Sequence, residues 1–182
     1  MRRRKIPNAA LGRRTIPEYR KAEKFPVIIV LDNVRSMNNI GSVFRTADAF
    51  LVEAIYLCGI TACPPHKEIR KTALGATKSV SWKYYATTVE ALEDLKEQDY
   101  TILSIEQVEG GILLDSYFPA PDQRYALVFG HEIHGVSQEA VDISDQCIEI
   151  PQFGTKHSFN IVVSAGIILW DFYLKLRQKK ER

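Results

Sequence analysis

The sequence predicts an α/β domain built on a mainly parallel sheet, and three observations point there. Strand-like segments such as Val27 to Leu31 are continuous β-branched apolar runs, as in strands covered on both faces. These segments alternate along the chain with helical patterns, the order that builds parallel sheets. The chain then closes on a short strand (Cys147 to Ile150), a polar glycine-containing loop and a long apolar helix, a common setting for a ligand in such a sheet.

Residues 1–24 contain Pro7, Gly12 and Pro17 but little apolar periodicity, so they read as an arm with one short helix near Glu18 to Lys24. After the strand Val27 to Leu31 comes a polar loop, Asp32 to Asn38. Ile40 to Leu51 has a helical pattern, with Asn38 or Asn39 as its cap and Val43, Ala47 and Phe50 on the core face. Ala54 to Leu57 is the next strand. Gly59 to Ser79 is irregular: Cys63-Pro64-Pro65-His66 breaks the chain before a short helix at Lys67 to Leu74. Val80 to Tyr85 reads as a strand. Thr87 and Glu90 have capping-box spacing, which starts a helix running to Glu97. Strands follow at Thr101 to Ile105 and Tyr125 to Phe129, separated by a loop from Gly110 to Gln123 with one short element. Ser137 caps a short helix through Val141. Pro151 cannot donate to a ladder and ends the last strand. Gly154 lets the loop turn, and Ser158 and Asn160 precede a helix from Ile161 to Leu176. That helix is apolar nearly all round, which calls for cover from its own sheet and from a second subunit.

At 182 residues, 46% hydrophobic and 25% charged, the chain suits one globular domain with a sizeable core. No apolar run suits a membrane span, and the basic N-terminus lacks the apolar segment of a secretory signal. Three cysteines, Cys58, Cys63 and Cys147, form no framework and fit a reducing cytoplasm. The net charge of +2 conceals a segregation: residues 1–24 carry a net +7, residues 175–182 a net +4, and the segment between a net −9. Basic ends on an acidic body suggest a polyanion partner. The alternatives are a solubilising tail or self-association of basic ends with an acidic body.

Three polar clusters stand beside strand ends or helix starts. The first runs Asn39-Ile-Gly41-Ser-Val-Phe-Arg45-Thr-Ala47, where Arg45 either grips phosphate with its planar fork or is an ordinary solvated helix arginine. Gly41 lets the backbone approach another segment closely. The second runs Leu127-Val-Phe-Gly130-His-Glu132-Ile-His-Gly135-Val. Gly130, directly after a buried strand, permits close backbone contact with a flat ligand, and Glu132 is placed to hold a cationic group. His131 and His134 are three apart rather than four and lie beside Gly135, so the zincin pattern is absent and no metal is expected; Cys63 and His66 are too sparse. The third is Ile150-Pro151 followed by Ser158-Phe159-Asn160. No Gly-x-Gly-x-x-Gly and no Walker loop occurs, which argues against a dinucleotide dehydrogenase or a nucleotide triphosphatase.

Together and in this order, these clusters resemble the three motifs of the SpoU/TrmH family of RNA ribose methyltransferases, in the SPOUT superfamily. The resemblance spans about residues 25–176. It implies a SPOUT-type domain over residues 25–182 behind a basic arm of residues 1–24, with a C-terminal trefoil knot. It further implies a homodimer paired through the terminal helix. S-adenosylmethionine is the implied methyl donor and a ribose 2′-hydroxyl of tRNA or rRNA the implied acceptor; the shortness of the N-terminal extension, not the resemblance, slightly favours tRNA. Carried over by position, the cofactor contacts are Ser104, Ile105 and Glu106, then Phe129 and Gly130, then Ile150, Ser158 and Phe159. Arg45, Asn39, Glu132, Ser158 and Asn160 are the implied catalytic set. Arg45 would bind phosphate or the developing alkoxide, Asn39 and Asn160 would fix the loop and the ribose, and Ser158 would orient substrate or cofactor. Glu132 would hold Arg45 or the motif backbone. One crevice should therefore gather Gly130, Ile150 and Arg45. The chain departs from the family pattern at His131, Gln152 and Phe159, commonly asparagine, methionine and leucine, and at Ala49-Phe50-Leu51 in place of Ala-Phe-Gly. A SPOUT enzyme methylating a base nitrogen and a non-catalytic RNA-binding protein are the alternatives.

Overall fold

The structure, a computed structural model, describes residues 3–180. Of the terminal charged residues, Arg2, Glu181 and Arg182 lie outside that range. Seven strands form one sheet: β1 (Phe25–Asp32), β2 (Val52–Cys58), β3 (Ser81–Tyr85), β4 (Tyr100–Ile105), β5 (Ile112–Leu113), β6 (Arg124–Phe129) and β7 (Gln146–Glu149). Their order is β3-β2-β1-β6-β4-β7-β5, and every pairing between them is parallel. The predicted class is the observed one.

The central strands β1 and β6 explain the continuous apolar runs. Alternate residues of β1 face opposite layers, as the period of two requires. Val27, Ile29 and Leu31 pack with α2 (Met37–Ala49), α3 (Lys67–Ala73) and α6 (Ile161–Lys180) through Val43, Phe44, Ile69, Ile168 and Phe172. Ile28 and Val30 meet α4 (Thr88–Glu97) and α5 (Gln138–Ile143) through Leu92, Leu95 and Ala140. Late in the chain, β7 enters between β4 and β5. That insertion is consistent with the trefoil path the resemblance implies.

Several boundaries differ from the sequence reading. Helix α2 starts at Met37 and is capped by Ser36, whose hydroxyl accepts from the Asn39 N–H at 3.3 Å; the Asn39 side chain is engaged elsewhere. It ends at Ala49, and Leu51 turns the chain into β2 at φ +55°. Within the arm, α1 (Ile16–Lys21) has a full Thr15/Glu18 capping box and buries Tyr19. Ser137 precedes α5 without a side-chain cap; its N–H instead reaches the buried Asp32 carboxylate at 2.7 Å. The terminal helix is only partly covered. Ile161, Ala165, Ile168, Leu169 and Phe172 meet the sheet layer, whereas Val163, Trp170 and Leu174 face solvent. A sheet covers one side of a helix only, so burial nearly all round requires a second surface. No helix among the described residues is long and apolar enough to cross a membrane.

Candidate active site

The carboxyl ends of β4, β6 and β7 open onto a cleft of about 520 Å³, walled by residues 130–135 and by the chain between Ile150 and Ser164. Ligands of open α/β sheets bind outside the carboxyl ends of the strands. Of the expected cofactor contacts, Ile105, Glu106, Phe129, Gly130, Ile150, Ser158 and Phe159 line this cleft. Ser104 does not. Strand alternation turns it into the opposite layer, where it is wholly buried with its Oγ 2.8 Å from that of Ser144.

Three of the expected catalytic side chains, Glu132, Ser158 and Asn160, also line the cleft, and Asn39 joins them at its edge. The reason is local. After β6, His131 and Gly135 exchange backbone hydrogen bonds at 2.9 Å each, closing a pinched loop that turns Glu132 towards the start of α2. There the Glu132 carboxylate accepts from the Ser36 N–H (2.9 Å), the Arg35 N–H (3.1 Å) and the Asn39 side-chain amide (2.9 Å). Asn39 Oδ1 in turn accepts from Asn160 Nδ2 at 3.2 Å, while Asn160 Oδ1 accepts from Val162 N–H at 2.9 Å and so caps α6. One chain of hydrogen bonds thus ties all three clusters together. Burial raises the pKa of Glu132, but the Asn39 amide and the Arg35 and Ser36 N–H groups outweigh it and hold the carboxyl below the ordinary glutamate value.

Arg45 stands apart. It is exposed and lines a second cavity of about 560 Å³ with Arg13, Arg14, Thr15, Tyr19 and Asp48, so the single crevice expected for Gly130, Ile150 and Arg45 holds only the first two. The cause is helical phase. Gly41, one turn earlier, faces α3 so closely that a Cβ there would stand 2.3 Å from the Ile69 carbonyl oxygen; Arg45 continues along that face, away from the strand ends. Glu132 therefore holds the backbone ahead of α2, not Arg45.

Some roles escaped the sequence reading. Glu106 bridges its own strand end to the pinched loop, accepting from Val136 N–H at 2.8 Å and Gln107 N–H at 2.9 Å. Asp32, at the end of β1, accepts from Asn33 Nδ2, Thr88 Oγ1 and Ser137 N–H, anchoring both helices of the opposite layer. Its signal was a carboxylate directly ending an apolar run. The close approach at Gly130 is made by the protein itself, since a Cβ there would meet the Gly135 backbone. The His131 and His134 rings lie 4.9 Å apart at a tilt of 33°, and among the described residues no cluster of His, Cys, Asp and Glu is placed to hold a metal ion.

The sequence profile of the SpoU rRNA Methylase family matches residues 26–170. A tRNA (guanosine(18)-2'-O)-methyltransferase of Thermus thermophilus is 30% identical over 162 residues, covering 87% of this chain and 80% of its own. The 23S rRNA (guanosine-2'-O-)-methyltransferase RlmB of Neisseria meningitidis is 29% identical over 144 residues, covering 79% of this chain and 56% of its own. Among solved structures, the A. aeolicus TrmH/SpoU tRNA modifying enzyme superposes with a TM-score of 0.77 at 27% identity, covering 89% of this chain and 80% of that one. The chain spans 56% to 66% of the length of three of the curated relatives it matches.

Proposed function

Since the chain belongs to the SpoU rRNA Methylase family, we propose that it methylates a ribose 2′-hydroxyl of structured RNA with S-adenosylmethionine as donor. The observation that carries this reading is the Glu132–Asn39–Asn160 chain, which holds the three motif segments together at the mouth of a cleft at the strand ends. The cleft fits the donor in size and in charge. Its volume lies within the usual range for small-molecule sites, and Glu106, Glu132 and Glu149 all line it, a wall of carboxylates suited to a cation. Backbone at Phe129, Gly130 and Ile150 with the apolar side chains of Ile105 and Ile161 would hold the adenosine portion. When bound, the donor supplies an electrophilic methyl carbon on sulfur.

The chain's own residues do the positioning. Asn39 and Asn160 fix the geometry of the mouth, and Ser158, exposed on the cleft wall, orients the ribose. Arg45 lies six residues after Asn39 on α2, roughly 9 Å along the axis. Guanidinium stays protonated at working pH, so Arg45 is assigned to a phosphate beside the target ribose, together with Arg13 and Arg14 of the arm. RNA is the substrate because only RNA offers the 2′-hydroxyl. The relatives include enzymes named for tRNA and for 23S rRNA; tRNA is favoured because the Thermus relative matches over more of its own length. The three cysteines are free thiols, which supports a reducing, cytoplasmic setting.

The test is transfer of labelled methyl from S-adenosylmethionine to RNA, with alkaline resistance of the modified linkage as the mark of ribose methylation. Arg45→Ala should lower the rate at least tenfold and leave cofactor affinity within about twofold, the size of a lost charged hydrogen bond. A near-normal rate removes Arg45 from the reaction. Base-labelled product supports a base-nitrogen enzyme, and RNA binding with no label a non-catalytic protein.

Val163, Trp170 and Leu174 share one face of α6, and the N-terminus of that helix borders the cleft. A second copy seated there would form a homodimer with the two clefts beside the shared face. Trp170→Glu should convert the dimer to a monomer in sedimentation velocity at micromolar concentration; a monomeric parent protein removes the homodimer.

A further inference from the structure

One exposed side chain, in a loop whose two ends wall the cleft, has no part in the function above. Phe153 is 97% exposed, more than any other large apolar residue among the described ones. It sits in the loop between β7 and α6, both ends of which line the cleft through Ile150, Gln152, Ser158 and Phe159. The pinched loop adds Ile133, 75% exposed and lining the same cleft, and Phe159 there is itself 41% exposed. Water-facing apolar groups gathered around one opening mark a contact surface, whereas scattered ones do not.

The chemistry around these groups decides the occupant. Exposed Lys156 and His157 follow Phe153 within three and four residues, so one loop carries a planar apolar ring together with donors of hydrogen bonds and positive charge. That pairing suits an unpaired nucleotide: the ring takes the face of the base and the cation takes the phosphate. A base stacked in a duplex offers no free face to an aromatic side chain, so an unpaired, unstacked nucleotide is the form that can take this contact. We propose that Phe153 is a base-stacking residue, which receives the unstacked base at or beside the target nucleotide and thereby selects riboses in single-stranded or loop positions. This rests on the RNA methyltransferase reading above.

The experiment compares Phe153→Ala, Phe153→Leu and Phe153→Trp in the full chain. One readout is steady-state methylation of bulk tRNA; the other is the fluorescence of an RNA hairpin with 2-aminopurine in its loop. Removal of the ring should raise KM for RNA about ten- to a hundredfold, the range seen when stacking aromatics are truncated, with kcat within about threefold. Trp should restore KM and the fluorescence quench on binding; Leu should restore neither. Unchanged KM in the Ala variant, or rescue by Leu equal to that by Trp, overturns the proposal. So does a loss of dimer on sedimentation, which would show a second copy covering the ring, or a loss of cofactor affinity, which would show the ring closing on the donor. If the parent chain methylates no RNA, the function proposed above fails, and the hairpin fluorescence still decides whether Phe153 stacks.

Discussion

Replacing Glu132 by glutamine is expected to slow methyl transfer by roughly ten- to a hundredfold without unfolding the domain. The carboxylate accepts three hydrogen bonds, from the Arg35 and Ser36 N–H groups and the Asn39 amide. Glutamine keeps the shape but turns an NH₂ group towards donors that have nothing to accept from it. A hydrogen bond to a charged group contributes about 1.5–3 kcal/mol, and a negative charge ahead of a helix adds about 0.3–1 kcal/mol. Each 1.36 kcal/mol that reaches the transition state is tenfold in rate, so the stated range needs about 1.4–2.7 kcal/mol, a part of what losing one bond and the charge costs. If the amide nitrogen takes the place of the oxygen shared by Ser36 and Asn39, the hold of Asn39 on Asn160 is loosened as well. Cofactor affinity should fall less than the rate, because Glu106 and the strand ends that wall the cleft are untouched. The pH dependence has a definite sign. The folded pKa of Glu132 lies below the ordinary 4.5, so its stabilisation is complete above that value and is lost as pH falls through the folded pKa. Activity and local order should therefore decline in acid below about pH 4.5 in the parent chain, and that part of the acid limb should be missing in Glu132→Gln. A parent-like rate in the variant would show that the carboxylate junction is not needed for turnover.

The elements were legible wherever one physical cause governs a segment. Parallel strands covered on both faces must be apolar throughout, so Val27 to Leu31 and Tyr125 to Phe129 announced themselves. Thr87 and Glu90 capped α4 as their spacing requires, and both bonds of the box are present. The matching box at Thr15 and Glu18 was as readable, but Pro17 obscured it, although proline is tolerated in the first turn. Strand order was not legible, since pairing β7 with both β4 and β5 leaves no mark in local composition. The site divides similarly. Motif resemblance brought the right segments to the cleft, but side-chain direction within them follows from phase. Alternation along β4 separates Ser104 from Ile105, and the turn from Gly41 to Arg45 carries the arginine to the arm's side of α2. Both periods were available from the sequence; what was missing was which face of each element the cleft would take.

Gly130→Ala should be severely damaging, abolishing cofactor binding and lowering methyl transfer at least a hundredfold. A Cβ at 130 would stand 2.0 Å from the Gly135 carbonyl carbon, 2.1 Å from its oxygen and 2.1 Å from the Val136 nitrogen. All three are backbone atoms, so no side chain can swing aside. The backbone there is held by the paired His131–Gly135 bonds, by the Val136 bond to Glu106 and by the left-handed turn at Gly135, φ +69°. Relief requires opening the loop, which breaks those bonds and turns Glu132 away from α2. Forced overpacking costs about 1–3 kcal/mol, visible as a lower Tm, while the far larger functional loss comes from misplacing the cleft wall. Gly154→Ala provides the contrast: it lies in the same rim, yet nothing stands within 4 Å of its Cβ position. Its stability should stay within about 0.5 kcal/mol of the parent. Calorimetric titration of S-adenosylmethionine into the two variants decides the matter. Equal affinities would mean that closure of the 131–135 loop on Gly130 does not shape the site.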